Sequence, residues 1–447
     1  MRFLNIFKSN DFRTQIAKKN VVLLFVNKII AVIISFQLIP ATIGFVDSSQ
    51  YGIWIAISSI VTWMVYFDFG LTHGFRNNFA KAKAKGDIDL AKGYLSTSYV
   101  VLACIFLFIM LVCLLINHYI SWSVILNVDN SLNNILYKVF NLLIIFFSLQ
   151  MIFNLLVTFL LANQKPAFSA SIVTIGQLLS LVAIYTMSFF AKGSLVNLAY
   201  ALVGIPVVSL VIISFVLFKT IFKDYAPSIK KVNFSLTKDI IGLGSKFFII
   251  QLSMLFVFQF ANFIIIRIMG AEAVTTYTIV YRYFSIIYIG MGIIFLPFWS
   301  AFTDAFTKRE FSWMNETYQK LSKIWIFTIP ICVVLFVFSS FVYKHWLAKN
   351  LEIDYKLSLA MGISMIILSR ANLYMFCLNG IGKIYIQMLV YVIFALISAP
   401  LMFYLTIIWG YYGVILVTSL VYFCQAVVGH IQLNKILKNS DDGIWSK

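Results

Sequence analysis

The chain has 447 residues, of which 62% are hydrophobic and only 11% charged, with a mean hydropathy of +0.94 and a formal charge of +18. A water-soluble fold needs about a quarter of its residues charged to cover its core, so this composition excludes a soluble globular protein and leaves a polytopic membrane protein. The positive charge does not indicate nucleic-acid binding, because the lysines and arginines fall between apolar runs and no basic soluble domain exists to carry such a role.

Crossing roughly 30 Å of hydrocarbon at 1.5 Å per residue takes about 20 apolar residues. Residues 1–19 hold no apolar core of that kind and no cleavable signal; Phe3, Leu4 and Phe7 with Arg13, Lys18 and Lys19 predict a short interfacial segment on the inner membrane surface. Twelve predicted spans follow, at 20–42, 51–73, 94–116, 137–161, 168–190, 197–219, 241–266, 275–299, 323–344, 357–379, 384–408 and 413–433. The fold class expected is therefore an all-α polytopic membrane protein of twelve helices. Its layout is a lobe at 20–219, a cytoplasmic linker at 220–240, a second lobe at 241–433 and a cytoplasmic tail at 434–447. Two pairs of spans are joined by very short turns and read as tight hairpins. The five cysteines lie inside apolar runs and read as small buried hydrophobes, and the four histidines form no ligand cluster.

Lysine and arginine concentrate in alternate connections: Arg76 to Lys92, Lys165, Lys219 to Lys238, Lys308 to Lys323, Lys383, and the tail. By the positive-inside rule both termini are cytoplasmic. The chain also repeats itself. Gly44 to Tyr51 resembles Gly270 to Tyr277, and Asn163-Gln-Lys165 echoes Asn379 to Lys383, each pair six spans apart. That offset predicts two six-helix halves of the same topology.

Five charges stand inside predicted spans: Lys28, Asp68, Lys246, Arg282 and Arg370. A charge near the bilayer centre costs at least a few kcal/mol and faces protein or water. Lys28 and Lys246 lie close enough to the cytoplasmic end to snorkel, whereas Arg370 is too deep for that. Four cations against one acid predict a net-positive, hydrated chamber between the lobes, which would attract an anion and repel a cationic drug. Asp68 either balances one of these cations or couples transport to an ion. Tyr281, Tyr283 and Tyr288, beside Arg282, offer rings on which sugars would stack.

The run from Phe67 to Asn78 (FDFGLTHGFRNN), the preceding Tyr51-Gly-Ile-Trp and the Asn163-Gln-Lys-Pro turn resemble the Wzx-type oligosaccharide (O-antigen/polysaccharide) flippase family. That family belongs to the multidrug/oligosaccharidyl-lipid/polysaccharide (MOP) superfamily. The resemblance implies a MATE-like, two-lobed alternating-access transporter in the bacterial inner membrane. Its cargo would be an oligosaccharide on undecaprenyl diphosphate, turned over to the outer leaflet for O-antigen or capsule assembly. It also implies a coupling ion, sodium or proton, no other cofactor or metal, and polysaccharide polymerase machinery as a partner. By motif it carries over only Asp68 and Arg76. Arg76 joins Lys28, Lys246, Arg282 and Arg370 as an expected substrate-binding residue, and no residue is expected to be catalytic. A multidrug antiporter of the same fold would want more acids in the chamber. A membrane glycan polymerase would want a long outer loop rich in charge, and the segment from Asn117 to Leu136 holds a single acid, Asp129.

Overall fold

A chain in hydrocarbon must satisfy every backbone N–H and C=O internally, and a helix does this within one segment. The computed structural model describes residues 12–46, 50, 53–54, 57, 70–125, 128–190, 192–269, 271–346, 353–440 and 442–446, and among them all regular structure is helical. Among the described residues ten segments are long and apolar enough to cross a membrane. In chain order the longer helices are α1 (Phe12–Phe45), α2 (Leu71–Ala84), α3 (Ile88–Asn117), α4 (Asn133–Ala162), α5 (Pro166–Phe190) and α6 (Leu195–Lys219). They continue with α7 (Leu236–Met269), α8 (Ala271–Thr307), α9 (Phe311–Ile326), α10 (Thr328–Trp346), α11 (Tyr355–Ile381), α12 (Tyr385–Trp409) and α13 (Tyr411–Leu437). Most of the expected span 51–73, Asp68 included, lies outside the described residues.

Two expectations change. The lysine-studded stretch after residue 70 is the amphipathic helix α2 rather than a loop. Leu71, Phe75, Phe79 and Ala82 recur at helical spacing and are all buried, while Lys81 and Lys83 lie in its last turn, where they complement the helix dipole. The expected span 323–344 falls within one membrane-length segment, Phe311–Lys344, that starts earlier than expected and is broken at Phe327 into α9 and α10, where the Thr328 hydroxyl donates to the Trp325 carbonyl at 2.7 Å. Among the cysteines, Cys332 and Cys377 are buried as expected, but Cys104 is exposed on α3.

The described chain divides into two compact units, one of Lys19–Gly244 and the other built on Ser245–Lys447. In the first, α2, α3 and α4 pack around an aromatic cluster. Phe159 meets Phe79 edge-on at 5.2 Å between centroids and Phe222 at 5.0 Å, arrangements that aromatic quadrupoles favour. In α6 the turn Tyr200–Gly204 is π-helical and leads into Pro206; proline there lacks the N–H that a regular turn would use. The stretch from α6 to α7 is held on α3. Ser96 Oγ accepts from the Ser228 N–H at 3.0 Å and Thr97 Oγ1 from the Asn233 N–H at 3.0 Å, Thr97 donates back to the Asn233 carbonyl at 3.3 Å, and the Tyr94 hydroxyl donates to Asp239 at 3.0 Å.

In the second unit α11 is the core helix: 72% of its most apolar stretch is buried, chiefly against α8 and α13. Its mean hydropathy there, 1.5, is low for a span, as suits a helix that faces protein more than lipid. The connection between α12 and α13 is Gly410 alone, at φ 56° and ψ −132°, a backbone that L side chains rarely adopt.

Both units reuse the same turn devices. Gly86 (φ 78°) separates α2 from α3 and Arg309 (φ 58°) separates α8 from α9; Gln164 (φ 60°) separates α4 from α5 and Gly382 (φ 85°) separates α11 from α12. The offsets are 309 − 86 = 223 and 382 − 164 = 218 residues, so the second pair falls where Asn163 to Lys165 was matched with Asn379 to Lys383.

Candidate functional site

A guanidinium inside an apolar run needs polar company, and Arg370 finds it among side chains of α9, α11 and α13. Counting back from Ile381 places Arg370 11 × 1.5 Å, about 16 Å, from the end of α11, near the middle of a bilayer core. Its Nη1 donates to Ser322 Oγ at 2.6 Å and its Nη2 reaches the Tyr318 hydroxyl at 3.5 Å. The guanidinium carbon lies 4.7 Å from the centroid of the Trp325 ring and 4.9 Å from that of Tyr374, within cation–π range of both. Trp325 is itself fixed, its indole N–H donating to Ser369 Oγ at 3.0 Å. No described carboxylate lies within ion-pair distance of Arg370.

The cluster continues toward the lysine-rich end of the unit. The Tyr374 hydroxyl shares a hydrogen bond of 3.0 Å with His430 Nδ1, and the Tyr318 hydroxyl lies 3.3 Å from the same nitrogen. Asn434 Nδ2 lies 3.0 Å from His430 Nε2. Gly429 makes room for this, since a Cβ there would stand 2.7 Å from Cβ of Tyr374. Tyr318 and Tyr374 are buried, Arg370 is half-buried and His430 is exposed, so the polar track runs from open surface into the unit.

Such a track can bind an oxyanion. Arginine carries five N–H donors in a planar fork; Ser322, Tyr318 and the Tyr374 hydroxyl engage some of them, leaving others for a ligand. Cation–π contacts with two rings anchor the fork, whose intrinsic planarity suits carboxylate or phosphate oxygens. Among the described residues no group of three or more His, Cys, Asp or Glu is placed to hold a metal.

Within the same unit, no described contact joins Lys246 or Arg282 to Arg370. Lys246 is half-buried on α7, its ammonium 5.6 Å above the Tyr385 ring. Arg282 is exposed on α8, and no described contact joins it to Lys246 or Arg370. Tyr283 is buried with its hydroxyl donating to the Leu335 carbonyl at 2.9 Å, so it offers no free face for a sugar; Tyr281 beside it is exposed. In the first unit Lys28 is exposed on α1, on a face shared with Phe25 and Ile29. Arg76 is 3% exposed within α2, inside the packing of its unit, and burial pushes its guanidinium down to about 9, still charged at neutral pH.

Tyr318, Ser322, Trp325, Tyr374, His430 and Asn434 had no signal of their own in the sequence. The trace they left is spacing: Tyr318 with Ser322, Arg370 with Tyr374 and His430 with Asn434 are each four apart, on one face of a helix.

No family model matches the chain, and no curated protein does. Solved structures do. A MATE protein in complex with MaD3S superposes with a TM-score of 0.77 at 14% identity, covering 98% of this chain and 99% of that one. A MOP superfamily transporter from Pyrococcus furiosus, described by the reverse polarity of its binding pocket, gives 0.78 at 13% identity over 99% of each chain. An outward-facing multidrug resistance MATE family transporter of the MOP superfamily gives 0.76 at 15% identity over 99% of each. At these identities the likeness is one of fold, and it spans the whole chain: this all-helical membrane protein has the MATE-like fold of the MOP superfamily transporters.

Proposed function

We propose that the protein is a transporter that flips an oligosaccharide on undecaprenyl diphosphate from the lysine-rich, cytoplasmic leaflet of a bacterial inner membrane to the outer leaflet by alternating access. The observation that carries this reading is the Arg370 guanidinium, within cation–π range of both Trp325 and Tyr374, with no described carboxylate beside it and donors to spare. A diphosphate supplies the oxygens that such a fork receives, and flat aromatic faces suit the sugar that follows. Lys28, Lys246 and Arg282 are exposed or half-exposed cations that would receive the same head group along its path, with Arg76 supporting from within α2. Asp68 is the carboxylate assigned to charge balance or to coupling with sodium or protons. Polysaccharide polymerase machinery would take the product. The fold alone does not choose a substrate; the Pyrococcus furiosus transporter, whose described pocket polarity is reversed and whose function is inferred to differ, illustrates the point.

A second reading, a multidrug antiporter, draws on the fold shared with the multidrug resistance MATE transporter and on the exposed aromatic rings. Reconstitution separates the two. Proteoliposomes should translocate a fluorescent undecaprenyl-diphosphate oligosaccharide, faster under a sodium or proton gradient. Arg370→Ala should lower the rate at least tenfold at equal protein abundance. Efflux of a cationic dye with no lipid translocation would establish the antiporter instead.

A further inference from the structure

The first unit contains a crevice of about 430 Å³ between α3, α4 and α6, covered by the chain that leads from α6 to α7. Its walls are almost entirely apolar, formed by Phe153, Phe215, Phe218 and Ala103. Two features break that character. Ser214 and Tyr99 both line the crevice with their buried hydroxyls facing each other, and no other side chain or backbone group partners either oxygen; Ser214 is only 3% exposed. Lys219, in the last turn of α6, stands exposed at the rim with no described ion-pair partner.

Two buried hydroxyls that face only each other leave one proton without an acceptor, which destabilises the fold unless something supplies one. Water is a poor tenant for a cavity with phenylalanine walls that opens at the membrane boundary. Five residues separate Ser214 from Lys219, about 7.5 Å along the helix axis. That is the order in which a glycerophospholipid presents its groups: phosphate at the rim, ester carbonyls one step deeper, hydrocarbon below.

We propose that this crevice holds one anionic glycerophospholipid of the lysine-rich leaflet. Its phosphate sits on Lys219, an ester carbonyl accepts the one proton that the Ser214–Tyr99 pair leaves over, and one acyl chain lies along Phe153, Phe215 and Ala103. Basic rims over apolar clefts between spans are where cytoplasmic-leaflet anionic lipids bind. The covering segment contributes Ile229 and Val232 to the same wall, so the bound lipid also braces the chain between α6 and α7. The site is independent of Arg370 and of what the protein transports.

Thermal unfolding of the delipidated, full-length protein in detergent tests this, with phosphatidylglycerol, phosphatidylcholine, glycerol 1-phosphate or undecaprenyl phosphate added. Phosphatidylglycerol should raise the melting temperature by several degrees more than any of the other three. Lys219→Gln should erase the advantage over phosphatidylcholine, Ala103→Phe should fill the cleft and reduce the response to both phospholipids, and Lys192→Gln at the opposite end should change nothing. Equal shifts from the two phospholipids, an equal shift from glycerol 1-phosphate, or a larger one from undecaprenyl phosphate would overturn the proposal. So would an undiminished phosphatidylglycerol response in both Lys219→Gln and Ala103→Phe.

Discussion

The two units share their order of helices and turns and part company at one depth. Eleven residues before the end of α4 stands Met151 (162 − 11), and eleven before the end of α11 stands Arg370 (381 − 11); four residues on come Leu155 and Tyr374. In the first unit Met151 and Leu155 are 6% and 0% exposed and belong to the aromatic cluster. In the second unit the same places carry a cation and its tyrosine. Polar side chains in the first unit gather elsewhere, at the start of α3, where they hold the chain that leads into α7. One frame thus carries an apolar plug in one copy and a polar, cation-centred track in the other. Fold and charge are separable here.

Exchanging the residues tests that separation most severely. Met151→Arg places an unpaired cation in a packed apolar cluster and should cost about 3–5 kcal/mol, enough to lose the monodisperse peak in size-exclusion chromatography. The reciprocal Arg370→Met should leave the melting temperature almost unchanged, since a partly buried charge replaced by an apolar side chain of similar length is near neutral. Transport should nevertheless disappear. If Arg370→Met unfolds the protein while Met151→Arg is tolerated, the two positions have been assigned the wrong way round.

A smaller effect is expected at the start of α3. Thr97→Ala removes both hydrogen bonds to Asn233 and should cost about 1 kcal/mol, read as faster protease cleavage between residues 220 and 235. The smallest is at Asp354, ahead of α11. The Lys356 N–H at 3.0 Å, and then the Tyr412 hydroxyl at 2.9 Å, hold its carboxyl below the usual range. A depressed carboxylate contributes stability that is present above its unfolded pKa, about 3.9, and is lost as pH falls through the folded value. Wild type should therefore lose slightly more melting temperature than Asp354→Asn between pH 5 and pH 3. Parallel curves would remove Asp354 from the account.

Most of the helical layout was legible in the sequence because apolar runs of span length have few alternatives in lipid. Arg370 was legible too, as a cation with no reason to be there. What escaped notice depended on distance along the chain. His430 lies 60 residues from Arg370 (430 − 370) and Ser322 lies 48 before it (370 − 322), so neither announced a shared cluster. Helix α2 was missed for a different reason: its lysines masked an apolar face only four residues wide, and tertiary packing rather than propensity makes such a helix.

The single glycine between α12 and α13 has a mechanical corollary. With Gly410 as the entire connection, and with a Cβ at Gly413 excluded by the Leu405 backbone, neither of these helices can slide lengthwise without its neighbour. Any tilt during a transport cycle must be handed on undiminished, so a pair of spin labels on this hairpin would keep a constant separation through turnover and serve as a built-in ruler.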